Sequence, residues 1–149
     1  MIVEKNIDWD NLGFNAYKTK SMFKAYYSPT IGWQVEGLIP YGDITLSPAS
    51  TILNYGQGIF EGTKAYKTSK GRVVCFRLED NEKRFSISSE RMCIPVLPKN
   101  LFSDAVKEVV NDNLDFLPSK DQGSLYVRPI AYGEGPMLGV KASEFYTFL

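Results

Sequence analysis

Asn54-Tyr55-Gly56-Gln57-Gly58-Ile59-Phe60-Glu61-Gly62 is the stretch on which the reading of this chain turns. Three glycines within seven residues weaken any helix or strand, so the backbone there is expected to be approached closely or to adopt unusual torsions. Upstream, Ser47-Pro48 gives a helix-start signal and Ile52, Leu53 and Ile59 follow at near-helical spacing, which predicts a short helix between Ser47 and Gly58. Further upstream, the aromatic and β-branched residues from Ser21 to Glu36, interrupted at Ser28-Pro29-Thr30, predict two strands joined by a turn. Downstream, Lys64 to Lys67 and Arg72 to Phe76 flank Thr68-Ser69-Lys70-Gly71, a hairpin with glycine closing the turn.

Two helices come next. Glu79 to Met92 is rich in charged helix formers, carries Phe85, Ile87 and Met92, and has Pro95 just beyond its end. Phe102, Ala105, Val106, Val109 and Val110 recur at i, i+3, i+4, i+7 and i+8, giving one apolar stripe that suits packing on a sheet, and Pro118 closes the segment. A strand is predicted from Ser124 to Tyr132, then a loop from Gly133 to Gly139, then a further strand begun by Glu144 to Leu149. Aromatic strand formers running to Leu149 without a turn are expected of a chain cut through an element. Strands on either side of a helix pair give an α+β domain.

Composition narrows the function more by exclusion than by signal. A chain of 149 residues, 44% hydrophobic, can bury one core, and a single globular unit is expected over 1–149. Seventeen basic and seventeen acidic residues cancel, which argues against nucleic acid or a polybasic membrane contact. The opening MIVEKNIDWD carries acids where a leader would be basic, so the chain reads as soluble and untargeted. Cys75 and Cys93 lack CxxC spacing and are expected to be buried and free. Histidine is absent, so Ser-His-Asp and Cys-His catalysis cannot be assembled and zinc would have only carboxylates and two distant cysteines. No metal is expected. If the chain is an enzyme, its demanding chemistry is expected to fall to a cofactor.

Taken in order, the Asn54–Gly62 stretch, Arg84 on the first long helix, and Leu125-Tyr126-Val127-Arg128-Pro129 with Gly139-Val140 after it resemble the branched-chain aminotransferases. That family belongs to fold type IV of the pyridoxal-phosphate enzymes, and the resemblance runs from about Phe14 to Leu149. It implies the small N-terminal domain of that fold, a mainly antiparallel sheet with helices packed on one face. The cofactor implied is pyridoxal 5′-phosphate. The reaction implied passes the amino group of leucine, isoleucine or valine to 2-oxoglutarate, giving the branched 2-oxo acid and glutamate.

The resemblance also implies roles, and each can be weighed against the residue's chemistry. Arg84 matches the phosphate-binding arginine, and a guanidinium offers a planar fork of donors that stays charged at any working pH. Its neighbours Asp80, Glu82, Lys83 and Glu90 equally suit a solvated surface charge. Tyr55 and Phe60 match walls of the substrate side-chain pocket, with Tyr55 reaching into the partner subunit's site; ordinary core packing is the competing use. Tyr126 and Arg128 alternate on a strand and so share a face. They match the substrate pocket, the arginine serving the distal carboxylate of glutamate, against the alternative of an ion pair with Glu134 or Asp121. Leu138 and Val140 match positions closing over the neighbouring subunit's pocket, and Phe14 matches a further pocket wall.

No catalytic residue is assigned. The Schiff-base lysine implied by the resemblance lies in a second, larger domain, and Lys64, Lys67 and Lys141 do not match it. A chain truncated before that domain is expected to be inactive alone and to hold the coenzyme poorly. The other possibilities are a non-catalytic domain that pairs with a full-length subunit, or a related fold type IV enzyme such as a D-amino-acid aminotransferase or aminodeoxychorismate lyase. A homodimer is implied for the full-length form. Family members work in cytosol, mitochondria and plastids; without a visible leader, the cytoplasm is expected here.

Overall fold

The computed structural model describes residues 7–13 and 16–149. Strands β1 (Ser21–Ser28) and β2 (Gly32–Pro40) open it, followed by helix α1 (Thr51–Tyr55) and strands β3 (Gly58–Phe60), β4 (Thr63–Lys67) and β5 (Val73–Cys75). Helices α2 (Leu78–Arg91) and α3 (Leu101–Asp112) come next, then β6 (Leu125–Val127), β7 (Ile130–Gly133) and β8 (Tyr146–Phe148). All strand pairs are antiparallel, in the orders β2-β1-β8-β7-β3 and β5-β4-β6. The α+β class agrees with the sequence; the single sheet expected there is two.

The second sheet arises where the predicted Ser124–Tyr132 strand breaks. β6 and β7 are separated only by Arg128-Pro129, yet they lie in different sheets. Pro129 has no N–H to give to a ladder, so pairing lapses there. The opposing chain lapses at the same level: Phe60 pairs with Ile130 and Thr63 with Val127, leaving Glu61-Gly62 facing Arg128-Pro129. One hydrogen bond, from the Glu61 N–H to the Pro129 carbonyl at 2.9 Å, crosses this gap. Both strands therefore change sheets together.

The core lies between the larger sheet and the helix pair. On β1, Ser21, Phe23 and Ala25 alternate inward, and the cross-strand set Ala25, Phe148 and Ala131 continues that face. α3 inserts the predicted stripe, with Phe102, Ala105, Val106 and Val110 buried and Val109 partly so. Phe85 of α2 meets Phe102 at 5.2 Å and Phe148 at 5.6 Å between ring centroids, so one aromatic cluster joins both helices to β8. Each such ring contributes about 1.5–3 kcal/mol by burial, more than the roughly 0.5–1.5 kcal/mol of a hydrogen bond between neutral groups. Asn113, at the end of α3, locks the helix to β1: its Oδ1 accepts from the Lys20 and Ser21 N–H groups, and its Nδ2 donates to the Ser21 and Val109 carbonyls and Ser21 Oγ.

Three local expectations need adjusting. α1 starts at Thr51 rather than near Pro48, because Ser47 closes a turn instead, accepting from the Ser50 N–H through its carbonyl and from the Ala49 N–H through its hydroxyl. Gly56 then ends the helix in the left-handed region, φ 65°. Both cysteines are free, but Cys93 is exposed and Cys75 only half-buried, because they sit at a helix end and on the outer strand of the small sheet.

Candidate active-site face

The place where both strands change sheets gathers four of the candidate residues. Just past the end of β3, Glu61 turns inward while Phe60 stays 65% exposed. Glu61 is 8% exposed, and a buried carboxylate needs partners. It has four: Arg84 Nε at 2.7 Å, Arg84 Nη2 at 2.8 Å, Asn81 Nδ2 at 2.8 Å and its neighbour's Gly62 N–H at 3.1 Å. Asn81 and Arg84 stand three apart on α2, which puts both on the face that meets the strand. Burial pushes the Glu61 pKa up, but the hydrogen bonds from Arg84, Asn81 and Gly62 outweigh it and hold the group below the usual carboxylate range. The same pair raises the pKa of Arg84 further. The Arg84 side chain is 63% exposed, and its Nη1 has no hydrogen-bond partner among the described residues.

Arg128 lies over two rings. Its guanidinium carbon is 5.0 Å from the centroid of Phe60 and 5.2 Å from that of Tyr126, and Nε and Nη2 reach the Tyr126 hydroxyl at 3.3 and 3.1 Å. Each stacking contributes about 0.5–1 kcal/mol at an exposed site. The Tyr126 ring leans on Gly62, where a Cβ would come within 2.5 Å of the phenol oxygen. Neither carboxylate suggested by the sequence pairs with Arg128: Asp121 is taken by Lys120 at 3.3 Å, and Glu134 accepts from Thr147 Oγ1 at 2.6 Å. The guanidinium faces no protein anion among the described residues.

The remaining candidates form a second group. Tyr55, at the end of α1, donates from its hydroxyl to the Leu138 carbonyl at 2.7 Å. The loop carrying Leu138 is pinned at its base by the Met137 N–H to Ala49 carbonyl bond, 2.9 Å. Leu138 and Val140 are 83% and 89% exposed. A hollow of about 340 Å³ is lined by Tyr55, Val140 and Cys93, and one of about 990 Å³ beneath α3 is lined by Tyr126, Arg128 and Lys64 among others. Arg84, Phe60 and Leu138 line neither. The fold thus brings Phe60, Tyr126 and Arg128 into contact, attaches Arg84 to them through Glu61-Gly62, and keeps Tyr55, Leu138 and Val140 apart. Phe14 lies outside the described residues.

Sequence reasoning passed over Glu61, Asn81 and Gly62 as site residues. A signal was present: an acid inside a strand-forming run must find a cation or a helix dipole, and Arg84 is the base nearest the middle of the following helix. The donor set suits one contact to a phosphate, an exposed guanidinium with an unengaged edge and a buried counter-ion behind it. Among the described residues no group of three His, Cys, Asp or Glu side chains is placed to hold a metal, and no helix is long and apolar enough to cross a membrane.

Comparison with known proteins places this architecture. In fold it corresponds to the small N-terminal domain of the fold type IV enzymes: it superposes on a branched-chain aminotransferase from Thermoproteus uzoniensis with a TM-score of 0.60, covering 87% of this chain and 40% of that one at 24% identity. A T.th. branched-chain aminotransferase complexed with N-(5′-phosphopyridoxyl)-L-glutamate gives 0.59 over 87% and 41% at 31% identity. In sequence, branched-chain-amino-acid transaminase 1 of Bacillus subtilis is 44% identical over 142 residues, 95% of this chain and 40% of the relative. The mitochondrial branched-chain-amino-acid aminotransferase 1 of Arabidopsis thaliana is 44% identical over 144 residues, 97% and 38%. No protein-family model matches. Over nearly its whole length the chain is similar to branched-chain aminotransferases, and it spans about 40% of the length of the relatives it matches. Those relatives include bacterial, mitochondrial and chloroplastic proteins.

Proposed function

We propose that these residues form the small domain of a branched-chain amino-acid transaminase that exchanges the amino group of leucine, isoleucine or valine with 2-oxoglutarate. The observation that carries this reading is the junction of Phe60, Tyr126, Arg128 and Glu61-paired Arg84 at the break between the two sheets. Bound pyridoxal phosphate supplies the electron sink for amino transfer. The chain's own residues bind and select. Arg84 holds the phosphate through its unengaged edge. Phe60 and Tyr126 offer apolar area to a branched side chain, at about 25 cal/mol per Å² buried. Arg128, stacked on those rings without a carboxylate partner among the described residues, pairs with the distal carboxylate of the alternative substrate.

A lysine in a second, larger domain carries the covalent chemistry in this reading, and Lys64, Lys67 and Lys141 have no part in it. Tyr55, Leu138 and Val140 serve the partner subunit's pocket in a homodimer, a use supported by the exposure of Leu138 and Val140. The test uses the protein at its native length, expressed from its own gene. Arg84→Ala should weaken cofactor retention with the fold intact, read by equilibrium dialysis of pyridoxal phosphate. Unchanged retention removes Arg84 from the site, and absence of leucine:2-oxoglutarate turnover in the wild type refutes the assignment.

A further inference from the structure

Arg84 is held by Glu61 in a way that a surface ion pair does not require. Most exposed pairs are made by two mobile side chains and contribute little. Here the carboxylate is the buried member, 8% exposed, and it is immobilised before Arg84 reaches it, by Asn81 Nδ2 at 2.8 Å and the Gly62 N–H at 3.1 Å. Asn81 is itself tied to the Gly62 carbonyl at 3.2 Å, so helix and strand both fix the acceptor. The carboxylate then takes Nε and Nη2 of Arg84 together, at 2.7 and 2.8 Å, the fork geometry that sets the plane of a guanidinium as well as its position. One edge of that plane, carrying Nη1, is left without a partner among the described residues.

We propose that Glu61 is the positioning residue of Arg84: it fixes the guanidinium plane so that its remaining edge is presented to the phosphate of the cofactor. The inference rests on the proposed function for the identity of the anion. An arginine side chain loses rotamer freedom when it is ordered. With Glu61 in place that cost is met by the fold and not by the ligand. Removing the carboxylate acts in two opposed directions. It raises the local positive charge, which favours any anion, and it releases the guanidinium, which disfavours a directional one. Arg84 is 63% exposed, so water and salt screen the first effect and the second dominates.

The test is Glu61→Gln in the native-length protein, an isosteric change whose carbonyl keeps the acceptor site shared by Nη2, Asn81 and Gly62 but whose amide NH₂ is set against Nε of Arg84. Dialysis should show retention of pyridoxal phosphate weakened about tenfold, the scale of one charge-assisted hydrogen bond, while binding of pyridoxal, which lacks the phosphate, is unchanged. A merely structural role would weaken both ligands alike. Asn81→Ala, which frees Glu61 without removing it, should act in the same direction by about threefold, and it decides the matter should Glu61→Gln not fold. Equal or tighter retention of pyridoxal phosphate in the folded variant overturns the inference. Arg84→Ala separates the two claims: if it loses retention while Glu61→Gln keeps it, the positioning role fails alone, and if Arg84→Ala keeps it, the phosphate assignment fails as well.

Discussion

Gly133 gives the sharpest test of how the second group of candidates is held. It lies on β7, buried, and a Cβ built there would collide with Thr51 Oγ1 and come within 2.7 Å of Gln57 Oε1 and 2.9 Å of Ser143 Cβ. None of the three can retreat easily. Gln57 accepts from the Ser143 N–H at 3.0 Å and donates to the Met92 carbonyl at 2.9 Å, and Thr51, Gln57 and Ser143 are 1%, 7% and 6% exposed. Overpacking of a fixed site costs about 1–3 kcal/mol, and three blocked directions place Gly133→Ala near the top of that range. Reduced freedom of the unfolded chain returns about 0.4–1 kcal/mol, leaving a net loss of about 2 kcal/mol. That corresponds to a fall in Tm of about 4–8 °C for a domain of this size. Urea unfolding followed by tryptophan fluorescence measures it, with Gly139→Ala as the control: no atom lies within 4 Å of a Cβ there, and its effect should stay within about 0.5 kcal/mol. If the two variants unfold together, the close packing of β7 against α1, and with it the placement of Tyr55, is wrong.

Other outcomes follow from the same contacts. Asn113→Ala removes five hydrogen bonds, four of them to Lys20 and Ser21 at the start of β1 and one to Val109 on α3, from a side chain 1% exposed, and should cost about 3 kcal/mol in urea unfolding. Glu61 has its folded-state pKa below the ordinary carboxylate value, so its contribution is complete above about pH 4.3 and disappears as pH falls through the folded-state value. The stability difference between wild type and Glu61→Gln should therefore be full at neutral pH and narrow progressively as the pH falls below the ordinary carboxylate value, and a gap that persists undiminished in strong acid would show that the charge is not what matters. In the native-length protein Arg128→Ala should lower kcat/KM for glutamate about 10–100-fold and for leucine much less. Arg128→Lys should not restore it, because an ammonium cannot both stack on Phe60 and fork to the Tyr126 hydroxyl. Equal losses for both substrates would make Arg128 structural.

The elements legible in the sequence were those whose cause is local. The α3 stripe announces itself by period, and the β4–β5 hairpin by Gly71, which takes φ 74° at the end of its turn. The β1–β2 hairpin was equally plain, although its bulge, where Glu36 is the extra residue on β2 beside Gly37 at φ 88°, was not. What escaped depends on partners far along the chain. Nothing between Ser124 and Tyr132 says which ladder each half joins, because a strand with one proline reads as an edge strand whether or not it changes sheets. The Glu61–Arg84 pair spans 23 residues and two elements, so no periodicity connects them. For Arg128 the acids nearest in sequence were the natural partners to consider, yet Lys120 and Thr147 occupy them, and aromatic faces take the cation instead.

The position of the break explains why the candidate residues collect where they do. In an unbroken ladder, residues 60, 62, 126 and 128 would stand as a flat row on one face, evenly spaced, with residue 61 on the other. Letting both strands turn at Glu61-Gly62 and Arg128-Pro129 gives up ladder pairing there and keeps one bond across the gap. In exchange the row folds toward itself. Gly62, having no Cβ, lets the Tyr126 ring lie against the backbone, and Arg128 is drawn over Phe60 and Tyr126 together. The same turn carries Glu61 toward α2, where the spacing of Asn81 and Arg84 meets it. A substitution that restored regular pairing would add backbone hydrogen bonds and would, by the same geometry, separate the cations from the rings and from the carboxylate that orders them.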